Sequence, residues 1–337
     1  MAAIVAALLV MAREQRGWQG YAFAGVVAGL APLFHLHGYG TAVALAAAWA
    51  LIDRRADYAV FFVPALALGV PVTLWMLAGG TAGVRWLPGW LADFPPHHDG
   101  GLWFWLKNTG LLIPSLVAAQ LWAGSVAATF AVRFAPLWLW FLVPNFWVFQ
   151  PWDWDNTKFF MFWFLFGALM VGALLVRLAT RGVEGAVLAA ALGVVLCLSG
   201  GLDLARALDR SQMTATFIDR DGLAVAAWTR DHTPPKAIFA VAPQHNEPVA
   251  ALAGRRVLAG YGGWLWSYGL SDWTSRTDEE KKILAGDGAA PDLVRREHVA
   301  YVVIGPQELA FGANLGYWLE NGDLVYEAGG YTIFRTR

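Results

Sequence analysis

The segment Phe149-Gln-Pro-Trp-Asp-Trp-Asp-Asn-Thr-Lys158 sets two carboxylates, an amide and an ammonium between two strongly apolar stretches. Charge bordering hydrocarbon is costly unless it is solvated or employed, so this turn is the first place to look for chemistry. Asp153 and Asp155 form an Asp-x-Asp pair, and carboxylate oxygens are the ligands that Mg²⁺ or Mn²⁺ takes, commonly shared with a substrate phosphate. Read this way, the two aspartates are catalytic and metal-ligating candidates, and Trp152, Asn156 and Lys158 form a substrate-binding surface around them. The same residues also admit a structural role, with Asp155 or Asn156 capping a helix that starts near Lys158 and the carboxylates favoured at its positive end.

His35 and His37 interrupt an apolar helical pair within Pro32-Leu-Phe-His-Leu-His-Gly-Tyr39. Residues two apart on a helix do not share a face, so both imidazoles reach one substrate only if the turn is not helical, which Pro32 and Gly38 permit. Imidazole there could donate to a phosphate or exchange a proton near neutral pH; the alternative is a pair of interfacial or internally bonded histidines. The loop 81–107 carries Trp86, Trp90, Trp103 and Trp105, which suit an aromatic belt at headgroup level or a lid over a substrate. His97, His98 and Asp99 in that loop are of metal-ligating type, but adjacent residues rarely converge on one ion. Far downstream, Gly260-Tyr-Gly-Gly-Trp-Leu-Trp-Ser-Tyr-Gly269 has neither the P-loop order nor the dinucleotide-site spacing of glycines. Trp264 and Trp266 remain candidates for docking on a glycan or on the membrane part, against ordinary core packing.

The elements that must position these residues follow from composition. Of 337 residues 58% are hydrophobic and 15% charged, with 19 tryptophans, a balance outside that of an average soluble domain. Charge is uneven: residues 1–200 hold 10 Lys/Arg and 8 Asp/Glu, and residues 201–337 hold 14 and 17. A bilayer core of ~30 Å needs about 20 apolar residues in a helix, the form that satisfies its own backbone. Candidate spans are 1–11 (incomplete), 18–34, 38–52, 58–79, 108–130, 134–149, 159–179 and 183–200, giving a membrane all-α bundle of about eight helices over residues 1–200.

Alternate connections differ in positive charge. One set holds Arg13, Arg16, Arg54, Arg55, Arg133, Arg177 and Arg181, and the other holds Arg85, Lys107 and Lys158. Positive residues are retained in the cytoplasm, which places the histidine tip, the loop 81–107, the acidic turn and everything after residue 200 on the outer face of the plasma (inner) membrane. A net charge of −1 offers no basic surface for nucleic acid. Lone Cys197 cannot form an intrachain disulfide, and the apolar opening lacks the basic start of a secretory signal.

Residues 201–337 alternate strand-like and helical stretches, with strands expected at Ala237–Val241, Arg256–Leu258, His298–Ile304, Leu324–Glu327 and Tyr331–Arg335. Helices are expected near 221–231, 246–253, 276–285, 290–297 and 312–320, which together predict a soluble three-layer α/β domain outside the cytoplasm.

The Pro32–His37 helix tip, the Trp152–Lys158 turn and the tail segments Thr233-Pro-Pro-Lys-Ala-Ile-Phe, Gly254-Arg-Arg and Val299-Ala-Tyr-Val-Val-Ile-Gly305 together resemble the later part of the GT-C superfamily of polytopic glycosyltransferases. The resemblance implies inverting transfer of a sugar from a polyprenyl-phosphate carrier to an envelope acceptor, assisted by a carboxylate base and often by a divalent cation. In that family the principal acidic residue usually lies in the first outer loop, for which the opening apolar run of this chain leaves no room. The expectation is therefore an N-terminally shortened protein lacking the usual base, or one in which Asp153 and Asp155 serve instead, or one that is not catalytic. The rival expectation is a non-catalytic membrane protein that binds or presents an envelope glycan through its C-terminal domain. Ion-coupled transport is disfavoured, since the spans carry almost no mid-helix ionisable residue.

Overall fold

A computed structural model describes residues 2–12, 17–78, 83–92, 98–122, 124 and 126–337. The chain divides into two compact units, Met1–Gln212 and Met213–Arg337, so the expected boundary near residue 200 falls inside a helix. Arg13, Arg16 and His97, used above in the charge comparison and as a ligand candidate, lie outside the described residues.

Among the described residues the first unit has three helices long and apolar enough to cross a membrane: Tyr58–Ala78, Asp153–Ala179 and Val183–Leu208. These coincide with the expected spans 58–79, 159–179 and 183–200, the last running further than expected. The other expected spans are shorter or broken. Helix Trp18–Leu30 tightens into the 3₁₀ turn Ala31–Leu33 at Pro32, and Leu36–Asp53 ends where Arg54 takes a left-handed conformation at φ 51°. The stretch 108–130 is divided between Leu112–Leu121 and Ala128–Phe134, with Gly124 at φ 78° between them. The stretch 134–149 becomes a short helix Leu137–Leu142, a 3₁₀ turn Val143–Asn145 around Pro144, and a strand. Proline removes the amide that would continue a helix, and glycine readily adopts positive φ, so these residues interrupt what apolar content alone reads as continuous.

Helix Trp18–Leu30 packs closely on Tyr58–Ala78 because small residues let the backbones approach. A Cβ on Gly29 would lie 2.8 Å from the Pro64 carbonyl oxygen. At the far ends of Leu36–Asp53 and Ala128–Phe134, Arg133 pairs with Asp53 at 3.0 Å, and the Tyr58 hydroxyl donates to the same carboxylate at 2.6 Å. By contrast Val183–Leu208 leaves nearly all its apolar surface uncovered, which is compatible with contact with a lipid bilayer.

Two strands of the first unit, β1 (Arg85–Trp86) and β2 (Trp147–Val148), pair antiparallel. The second unit contains a five-stranded sheet of β3 (Ile238–Ala240), β4 (Arg256–Val257), β5 (Val299–Ile304), β6 (Gly322–Ala328) and β7 (Tyr331–Thr336), ordered β4-β3-β5-β7-β6. Strands β4, β3 and β5 run parallel, and β7 and β6 are antiparallel to their neighbours. Alternation sends Phe239, Val303 and Ile333 to one core and Ala240, Val302 and Phe334 to the other. Helix Arg220–His232 contributes Val225 to the first core, while Trp273–Ala285 and Ala290–Arg296 contribute Ile283, Leu284, Leu293 and Val294 to the second. The three-layer α/β arrangement and all five expected strands are present.

Candidate functional site

His35 lies outside helix Leu36–Asp53, and His37 lies in its first turn. After the 3₁₀ turn, His35 becomes the N-cap of Leu36–Asp53, its Nδ1 accepting the Gly38 amide at 2.8 Å. This brings the His35 and His37 rings to 5.9 Å, with His37 also edge-on to Phe159 at 4.9 Å. His37 Nε2 meets Gln150 Oε1 at 2.7 Å, and Gln150 donates to Asn156 Oδ1 at 2.7 Å. Asn156, wholly buried, donates in turn to the carbonyls of Pro144 at 2.7 Å and Trp147 at 2.8 Å. A hydrogen-bonded relay thus runs from the helix tip into the turn, fixing the strand-and-turn segment to two helices.

That relay decides the expected cap. Asn156 precedes helix Thr157–Ala179 but makes no side-chain cap bond, because both ends of its amide are engaged elsewhere. Asp153 and Asp155 lie in the 3₁₀ turn Asp153–Asn156. The Asp153 carboxylate pairs with Arg85 on β1, and the Asp153 carbonyl accepts the Trp90 indole N–H at 2.7 Å. Asp155 pairs with Lys158 at 2.8 Å, one helical turn onward. Each acid is thereby matched to one base at a half-exposed surface, where ion pairs remain exchangeable.

Around these pairs lies an aromatic wall. Trp90 stacks on Trp105 at 6.0 Å, Trp105 packs on Phe160 at 4.8 Å, and the Trp105 indole N–H donates to Asn145 at 2.6 Å. Trp86 stacks on Phe146 at 5.6 Å. Trp152 and Trp154 are 45% and 67% exposed, so part of the aromatic surface faces outward beside the ion pairs. His98 is exposed and Asp99 pairs with Lys107. Among the described residues no three His, Cys, Asp or Glu side chains stand together as metal ligands. Asp153 is held by Arg85 and Asp155 by Lys158, and no step is derived through a Mg²⁺ or Mn²⁺ ion.

The sequence singled out Asp153, Asp155, Asn156, Lys158 and the histidines; in the structure the first three share one turn, Lys158 pairs with Asp155 from the next helix, His37 joins Asn156 through Gln150, and His35 lies beside His37. Sequence reasoning missed Gln150, the link between histidine and amide, and gave Arg85 no role beyond its charge. Trp264 and Trp266 belong to the second unit, in the short helix Gly262–Ser267. Gly262 is required there, since a Cβ would lie 2.6 Å from the Trp273 ring.

The second unit holds three buried carboxylates that sequence reasoning also missed. Glu280 accepts the Val241 amide at 3.1 Å, and Glu308 accepts the Ala242 amide at 2.8 Å and the Gly305 amide at 3.0 Å. Glu247 accepts the Val249 and Ala250 amides at 2.9 and 2.7 Å. Burial pushes Glu247 up to about 8 against the pull of its two amide bonds, with Glu308 adding a smaller upward push. Burial likewise raises Glu280 and Glu308 above the ordinary carboxylate range, again opposed by backbone amides.

No family model matches this chain, and no curated protein sequence matches it.

Proposed function

We propose that the protein is an integral membrane glycosyltransferase of the GT-C type, moving a sugar from a polyprenyl-phosphate carrier to an envelope acceptor on the outer face. The observation that carries this reading is the meeting of two exchangeable ion pairs, Arg85 with Asp153 and Lys158 with Asp155, beside the His37–Gln150–Asn156 relay and an outward aromatic surface. An arriving carrier phosphate competes for the two cations. Arg85 offers a planar fork suited to phosphate oxygens and Lys158 a mobile point charge. Each carboxylate that gives up its cation becomes a free base beside the bound substrate. The acceptor hydroxyl oxygen then bonds to the anomeric carbon as that carbon's bond to the phosphate oxygen breaks. The released proton passes to Asp155 or Asp153, and polyprenyl phosphate leaves with the bonding electrons.

His35 and His37, held by the cap and the relay, line the approach to the phosphate, and Trp152 offers an apolar face to the sugar or lipid. In this reading the C-terminal unit lies in the same outer compartment. The test is transfer from a polyprenyl-phosphate sugar by the full chain in nanodiscs. Arg85→Ala is expected to lower the rate about 100-fold, as does loss of one donor to developing charge, and Asp155→Asn to abolish it; full activity in Asp155→Asn removes that residue as base.

The mutual neutralisation of both aspartates favours a second reading, in which the protein binds an envelope glycan without catalysis. Absence of turnover together with retained glycan binding by the same preparation would select it.

A further inference from the structure

The second unit contains a cavity of ≈ 210 Å³ outside the carboxyl ends of β3 and β4. In sheets with parallel strands this is the edge at which ligands bind, and the chain leaves β3 toward β4 on one side before returning to β5 on the other. The floor is apolar, formed by Val241, Val257 and Ala259, and the rim carries Gln244, His245, Tyr261 and Trp264. The aromatic rim is ordered: Tyr261 is edge-on to Trp264 at 5.6 Å and to His245 at 5.4 Å.

What the cavity excludes is as informative as what it offers. At this edge of a parallel sheet, free loop amides commonly hold phosphate. Here the amides of Val241, Ala242, Val249, Ala250 and Gly305 are already taken by the chain's own Glu280, Glu247 and Glu308. Among the described residues no Lys or Arg lines the cavity. A phosphate or carboxylate ligand would meet the Glu247 carboxyl in the lining and would find these five amides already engaged. A cation is also poorly served, because both oxygens of Glu247, the acid that lines the cavity, are committed to its own turn. The volume lies below the roughly 300–1,000 Å³ of sites for drug-sized ligands.

We infer that this cavity is a binding site for one uncharged sugar ring, its C–H face against Trp264 and the apolar floor and its hydroxyls toward Gln244, His245 and the Tyr261 hydroxyl. An aromatic face beside a few fixed polar groups recognises a ring that is apolar on its faces and polar at its edge. The site is separate from the aspartate turn and stands whether or not that turn is catalytic.

Saturation-transfer NMR on the full chain in nanodiscs tests the inference, with methyl β-D-glucopyranoside, methyl β-D-galactopyranoside, methyl α-D-mannopyranoside and methyl N-acetyl-β-D-glucosaminide as probes. At least one glycoside is expected to receive saturation, to lose affinity about tenfold in Trp264→Ala and measurably in Gln244→Ala, and to be unaffected by Tyr268→Ala, an exposed aromatic of the same unit outside the cavity lining. Inorganic phosphate is expected not to compete. Asp155→Asn is expected to keep this binding, which separates its failure from that of the transfer reading. Saturation of none of the four glycosides, a signal that survives Trp264→Ala, or binding of choline in their place overturns the assignment.

Discussion

The two units bury polar groups in opposite ways. In the helical unit they meet side chains or the carbonyls of broken segments: Asn156 meets Pro144, Trp147 and Gln150, Gln150 meets His37, and Asp53 meets Arg133. In the α/β unit Glu280 and Glu308 take backbone amides at the carboxyl ends of strands, one Glu280 oxygen being left without a partner among the described residues. A helical unit has few free amides, since its helices consume their own, so its polar groups must find side chains or the carbonyls of broken segments. A sheet with parallel strands leaves loop amides at one edge, and there the chain spends its glutamates. Side-chain pairs at a surface can be exchanged for substrate charge, whereas amide-bound carboxylates stiffen the loops at that edge.

The largest expected effect breaks the helical side of this contrast. Asn156→Leu removes bonds to two carbonyls and to Gln150 and is expected to cost roughly 3 kcal/mol or more, read as a lower midpoint of unfolding in detergent. Next, Glu308→Ala strands the Ala242 and Gly305 amides. It is expected to destabilise the second unit by roughly 2–3 kcal/mol, seen as early loss of amide-exchange protection in β3 and β5, while Glu308→Gln loses less.

The pH dependence of the second unit follows from Glu247, whose carboxyl moves from an ordinary 4.5 to about 8 on folding. The folded state therefore holds a proton that the unfolded chain releases, so its contribution is complete below about 4.5 and is lost as pH rises toward about 8. Glu280 and Glu308, also raised by burial, have the same sign and steepen the trend, whereas the Tyr331 phenol, pushed up to about 12 chiefly by burial and then by Asp219, acts only above about 10. Glu247→Gln is expected to flatten the fall in unfolding midpoint over that window; an unchanged slope assigns the dependence elsewhere. Smallest is Lys158→Ala. An i, i+3 surface pair is worth only about 0.3–0.5 kcal/mol, so stability should hardly change while transfer falls sharply, and a matched loss of both makes the pair merely structural.

Legibility in the sequence follows the same divide. The five strands of the second unit were readable because runs such as Val299–Ile304 are β-branched and bounded by turn residues. The helical unit misled through composition: apolar content marked 108–130 and 134–149 as spans, but Gly124 and Pro144 divide them, and tertiary packing decides where such breaks fall. At the candidate site Asp153, Asp155 and Lys158 stood out by contrast with their neighbours. The pairing of Arg85 with Asp153 depends on β1 meeting β2, which no local pattern announces. The buried glutamates looked like solvated charge, although Gly305-Pro-Gln-Glu308 carries the spacing of a capping box and Glu247 precedes a proline that can open a helix.

The proposed transfer requires the aspartate turn and the C-terminal unit to work in the outer aqueous compartment. In a Cys197→Ser background, Trp154→Cys and Ser271→Cys variants can be treated with a membrane-impermeant maleimide on intact cells. Labelling of both sites without permeabilisation is the predicted result; labelling of Ser271→Cys only after the membrane is opened would contradict it.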